Sequence, residues 1–135
     1  MIDHHRIQFE RPDLAKLKAK HTVVDLHFHS HYSDGHNSIG AIARKARELG
    51  IGIAVTDHNE IRGALEISQY RDILSIPGIE MTSAEGTHIL IYFYQLDQLE
   101  TFYHDHVIPH MGNNTMKSTV LHMEAIIKRS RKIKT

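Results

Sequence analysis

The stretch VVDLHFHSHYSDG (Val23–Gly35) holds three histidines and two aspartates. His27 and His29 are one residue apart at the end of an apolar, β-branched run. On a strand, residues i and i+2 point to the same side, so both imidazoles can reach one ion. Asp25 shares that face, where its carboxylate can accept a hydrogen bond from a ligand imidazole. Taken singly, these features are ambiguous. A His-x-His pair is equally two polar residues on an exposed face, and Asp34-Gly35 is an ordinary turn. The chain repeats the pattern, however. Asp57-His58-Asn59 follows the apolar run Ile51–Thr56, Glu80 follows Pro77-Gly78-Ile79, and His88 opens the run HILIYFY. Polar side chains behind apolar strands need water or a partner. Three successive strand ends that each deliver His, Asp or Glu point jointly to a metal site. A mixed imidazole and carboxylate set without cysteine suits Zn, Mn or Fe in catalytic use better than a structural zinc site.

These residues need elements to position them. The pattern predicts strands over Thr22–Phe28, Ile51–Thr56, Ile73–Ile79 and His88–Tyr94. It predicts a helix over Ile39–Leu49, where Ile39, Ile42, Ala46 and Leu49 share a face, Ser38 caps and Gly50 stops. Shorter or weaker helices are expected at Leu14–Leu17, Glu60–Tyr70, Leu96–His104 and about Met116–Lys132, the last with Met116, Val120, Met123 and Ile127 on one face. Strand–helix–strand alternation argues for an α/β fold with parallel strands. In such folds, sites gather at the carboxyl ends of the strands.

The chain of 135 residues is the size of one domain and carries a formal net charge of zero. Nothing in that balance indicates a nucleic-acid partner. No apolar run reaches the roughly 18–20 residues that span a membrane, and the polar N-terminus is no secretory signal. With no cysteine, disulfides and thiolate metal sites are excluded, and a cytoplasmic location is the expectation. Thirteen histidines are an unusual number for this length, and they are dispersed rather than gathered in a tag.

Four stretches together, DLHFHSHYSDG (Asp25–Gly35), AVTDHN (Ala54–Asn59), PGIEMTS (Pro77–Ser83) and THIL (Thr87–Leu90), resemble the PHP (polymerase and histidinol phosphatase) domain family in order and spacing. The resemblance spans roughly residues 22–95. It implies βα units of a distorted (β/α)₇ barrel and two or three divalent metal ions, Zn, Mn or Fe. It also implies a metal-dependent phosphoesterase acting on a small phosphorylated metabolite or nucleotide through a metal-activated hydroxide. By motif, His27 and His29 would hold one metal. Glu80 would bridge it to a second, which His88 would also hold. Asp34 and His58 would serve a third position and share in catalysis, with Asp25 and Asp57 behind the ligands. His31 stands where the family often has threonine and is read as a substituent at the pocket mouth.

The resemblance weakens after Tyr94. The family's later His-Pro and Asp-x-His motifs are absent, and His104, His106 and His110 read as solvated surface histidines. Four strands cannot close a seven-stranded barrel and would leave an exposed edge. The expectation is therefore a lead-in over residues 1–21 and a partial barrel over 22–135. A further segment or a partner chain would complete it. The alternative function is a truncated or degenerate PHP module that binds phosphate or a partner without catalysis. The basic stretch Lys117–Thr135 lacks interleaved aromatic residues and reads as a solvated helix face rather than a surface for single strands.

Overall fold

A computed structural model describes residues 11–112 and 118–132. Helix α1 (Leu14–Lys20) is longer than expected; Asp13 caps it, and Lys18 Nζ donates to the carbonyl of Leu49. Strand β1 (Val24–Phe28) leads through a tight loop into α2 (Ile39–Leu49) and then β2 (Gly52–Val55). Helix α2 has the predicted bounds. Ser38 Oγ accepts from Ala41 N–H at its start, and Gly50 turns left-handed at its end. Its buried residues Ile39, Ile42, Ala43 and Ala46 pack on Ile53 and Val55 of β2. β1 and β2 pair in parallel across this crossover, as the α/β reading requires.

The second half departs from the expected layout. After the short α3 (Arg62–Ile67), residues 73–76 run beside β2 but bond to it only locally, through Ile53 N–H to Leu74 O and Ile76 N–H to Ile53 O. Pro77 has no N–H to extend that ladder. The strand expected at Ile73–Ile79 therefore starts later, as β3 (Gly78–Thr82), and Glu80 lies in its middle rather than at its end. β4 (His88–Tyr92) pairs with β3 antiparallel, not parallel, with Thr82 opposite His88. Single parallel bridges, Ile53 with Ser75 and His58 with Glu80, join the two ladders. The architecture is α/β, the partial set of strands expected of an incomplete barrel.

Helix α4 (Leu96–Phe102) continues into a π-turn at Tyr103–Val107 and a 3₁₀ turn at Ile108–His110. Helix α5 (Met123–Ser130) begins later than predicted. Met116 lies outside the described residues, and residues 118–122 are not helical. Thr119 N–H and Oγ1 both donate to Thr82 O, and Ala84 N–H donates to Leu121 O. This pairing buries Thr119 and Leu121 and turns Val120 outward, 61% exposed, so the predicted helical face does not form. Leu121 and Ile126 instead join Ile79, Met81, Ile91, Leu99, Phe102 and Val107 in a second core beneath the β3–β4 hairpin. Among the described residues, no helix is long and apolar enough to cross a membrane.

Candidate metal centre

The antiparallel turn of β4 explains how His88 reaches the rim. The start of β4 lies beside the end of β3, so His88 stands over the same edge as Glu80. Glu80 and Thr82 alternate onto one face of β3. His27 and His29 come from the end of β1 and the loop behind it. His58 follows β2, where the backbone bends sharply. The next residue, Asn59, is fully buried with φ of 49°, a left-handed conformation that asparagine tolerates better than most residues. Asn59 Oδ1 accepts from Thr82 N–H, and Asn59 N–H donates to Glu80 O. That bend pins His58 beside Glu80.

The six expected ligands are brought together. His29 Nε2 is 2.7 Å and His27 Nε2 is 3.3 Å from Glu80 Oε2, and the two ring nitrogens are 3.1 Å apart. His29 Nδ1 lies 2.6 Å from Asp34 Oδ1, and His58 Nε2 lies 3.4 Å from Asp34 Oδ2. His58 Nδ1 and His88 Nδ1 are each 3.5 Å from a Glu80 oxygen. The donors form three overlapping groups, His27–His29–Glu80, His29–Asp34–His58 and His58–Glu80–His88, each with its ligand atoms within 4.8 Å of one another.

Electrostatics make this arrangement ask for cations. The Glu80 side chain is only 6% exposed, and a buried carboxylate is costly without a paired positive charge. His29 is wedged between two carboxylates, Asp34 on Nδ1 and Glu80 on Nε2. A neutral imidazole has one N–H, so it can donate to only one of them. With Nδ1–H donating to Asp34, the Nε2 lone pair faces Glu80, and a cation between them removes the conflict. An imidazole oriented through Nδ1–H by a carboxylate is the usual posture of a metal ligand. Two of the three edges of the first group, 3.1 and 3.3 Å, approach the roughly 3.4 Å that a tetrahedral ion with about 2.1 Å bonds would impose, while the His29–Glu80 edge is 2.7 Å. The donor set therefore fits divalent ions. The His29 hydrogen bond holds the Asp34 carboxyl below its usual range, so Asp34 is a carboxylate near neutrality. Burial lowers the His58 imidazole, which keeps it neutral and its lone pair available.

Asp25 differs from expectation in what it touches. Asp25 Oδ1 accepts from the backbone N–H of His27 rather than from an imidazole. Asp57 is 1% exposed and accepts from Ser30 N–H, Ser30 Oγ and Ser33 Oγ at 2.6–2.7 Å. It fixes the loop that carries His29 and Asp34. Two glycines permit that loop. A Cβ on Gly63 would lie 2.2 Å from Asp57 Oδ2, and one on Gly35 would lie 2.2 Å from the carbonyl oxygen of His29. His31 stays outside the cluster, its backbone N–H bonded to Asn37 O and its ring against Tyr32. Among the described residues, His104, His106 and His110 belong to no metal-holding group.

A family model for the PHP domain matches residues 25–127, well over half of the chain. The chain belongs to the PHP domain family. Two solved structures are also similar. One is a Bifidobacterium adolescentis protein provisionally described as a metal-dependent phosphoesterase, 27% identical over 62% of this chain and 32% of that one, with a TM-score of 0.48. The other is an amidohydrolase from Chromobacterium violaceum with bound sulfate and no metal, 27% identical over 60% of this chain and 32% of that one, with a TM-score of 0.49. The chain thus spans about a third of the length of either. No curated protein matches it.

Thr82 was not among the residues singled out from the sequence of this PHP domain. Its Oγ1 lies 3.3 Å from His58 Nδ1 and 3.4 Å from His88 Nδ1, so it can orient both rings. The signal was present: Thr82 follows Glu80 by two on the same strand and so shares its face.

Proposed function

We propose that this chain is a metal-dependent phosphoesterase that uses two or three divalent ions, Zn, Mn or Fe, held by His27, His29, Asp34, His58, Glu80 and His88, and that its substrate is a small phosphorylated metabolite or nucleotide. The observation that carries the reading is His29 wedged between Asp34 and Glu80. Bound there, divalent ions would neutralise phosphoryl charge and lower the pKa of a coordinated water. The chain's own residues set the stage for this. Glu80 offers one oxygen toward His27 and His29 and the other toward His88, so it can serve neighbouring ions at once. Asp34, about half exposed and ionised, stands at the mouth, where it can accept a proton from an incoming water. His58 and His88 close the far side, with Thr82 between them.

A second reading rests on a separate observation. β1 is exposed along most of its length, with Leu26 45% exposed. A module that binds phosphate or a partner chain without turnover would present such an edge. One experiment separates the two. The purified chain is analysed for bound Zn, Mn and Fe and then assayed on a generic phosphate monoester with added Mn²⁺. Two or more ions per chain, with turnover lost in His29→Ala, supports the enzyme. A folded chain with neither metal nor turnover rejects it.

A further inference from the structure

The rim is assembled from two ladders. β1, β2 and the loops behind them carry His27, His29, Asp34 and His58, while β3 and β4 carry Glu80 and His88. On the β2 side, single parallel bridges join the ladders. On the β1 side, a side chain makes the crossing. Tyr92 of β4 lies opposite Gly78 and on the same face as His88 and Glu80. A Cβ on Gly78 would stand 3.0 Å from the Tyr92 ring, so the bare glycine leaves the ring room to lie across β3. The Tyr92 hydroxyl reaches β1 and donates to the carbonyl of Leu26. Burial, and then the charges of Glu80 and Asp25, raise the Tyr92 phenol, so it keeps its proton and remains a donor.

The Leu26 carbonyl and the His27 N–H belong to one peptide unit, and Asp25 Oδ1 accepts from that N–H at 3.1 Å. A peptide unit is planar, with its C=O and N–H pointing opposite ways, so a bond at each end fixes its plane. That plane sets the direction in which His27 leaves the strand. It lies between Asp25 and Phe28, where the register of β1 with β2 shifts. Such irregularities disrupt the ladder locally and re-aim a side chain. The His27 side chain is 51% exposed, so packing does little to hold it. We propose that Tyr92 is a positioning residue of the metal centre: together with Asp25 it clamps the Leu26–His27 peptide and aims His27 at the ion it shares with His29 and Glu80. The clamp rests on the metal-dependent reading of the site, and it ties the two ladders together on the side away from β2.

A cobalt titration tests this without turnover. The wild type and Tyr92→Phe are titrated with Co²⁺, whose visible absorption reports the geometry of its ligands. Tyr92→Phe keeps the ring over Gly78 and removes the hydroxyl alone. It is expected to bind one ion about tenfold more weakly, the lower end of what losing a partner behind a ligand costs. The absorption of that ion should change, while the remaining ions bind as in the wild type. Unchanged affinity and absorption, whether or not urea stability falls, overturn the clamp and leave the metal-dependent reading standing. Equal weakening of every ion also overturns the clamp. A folded wild type that binds no Co²⁺ overturns both. If Tyr92→Phe fails to fold, Asp25→Ala decides on the same readout, because Asp25 is exposed and its loss frees the other end of the same peptide.

Discussion

Two groups of histidines in this chain have opposite outcomes. At the rim, His27, His29, His58 and His88 converge on one buried carboxylate. Beyond Tyr94, His106 and His110 sit one helical turn apart, yet they do not converge. His110 Nδ1 meets the carbonyl of His106, and His106 Nδ1 is buried with no hydrogen-bond partner among the described residues, its ring against Phe102. Burial and the nearby Arg129 keep the His106 imidazole below its usual range. The difference is not residue type or exposure. It is the presence of Glu80 on a central strand, where a buried negative charge is shared by side chains from three other segments.

The largest test of that contrast removes the charge and keeps the shape. Glu80→Gln is expected to weaken metal binding by about 100-fold or more, judged against the 10–100-fold typical of losing a mere supporting partner. His106→Phe should leave metal content unchanged. Metal analysis after dialysis reads both, and a loss in His106→Phe would break the comparison. A smaller effect is expected from Gly63→Ala, which touches no ligand. The new methyl would collide with Asp57 and Val55, costing about 1–3 kcal/mol in urea unfolding as overpacking does. Because Asp57 holds the loop under His29 and Asp34, metal affinity should fall in parallel. Unchanged affinity would show that the loop is positioned without Asp57.

The smallest effect concerns the other region. The Glu85 carboxyl is lowered to about 2, first by the Ser83 hydroxyl, and it also accepts from Met123 N–H at the start of α5 and bonds His122. A carboxyl depressed by folding contributes stability above its unfolded pKa and loses it as pH falls. Glu85→Gln should therefore narrow its stability gap from the wild type as acid is added from about pH 4.5 toward about 2. Circular dichroism across that range reads the gap. Metal content should not change, which separates this clasp from the rim.

Much of the first half was legible because local signals decided it. Ser38, the 3.6-residue apolar stripe and Gly50 define α2 without help from elsewhere, and β2 is an apolar run between short signals. The residues of the rim were legible by type and motif. Their contacts were less so. Pro77 moved β3 along by several residues, and no local signal told that β4 would turn back on it. The run 118–122 falls within a helical apolar period, but its backbone bonds go to Thr82, Ala84 and His110, tertiary partners that outweigh propensity. Asp25 was expected to accept from an imidazole, but whether a carboxylate takes an imidazole or a backbone N–H depends on loop geometry.

The reversal of β4 has a consequence for how the molecule assembles. Glu80 and His88 are joined through the tight connection at residues 83–87, whereas β1 and β2 are joined across residues 29–51, which contain a whole helix. Closing the shorter loop sacrifices less chain entropy, and hairpins form within about 1–10 μs. The rim is thus built from two halves of unequal contact order. One half closes across a short connection, and the other closes across a crossover that contains a whole helix.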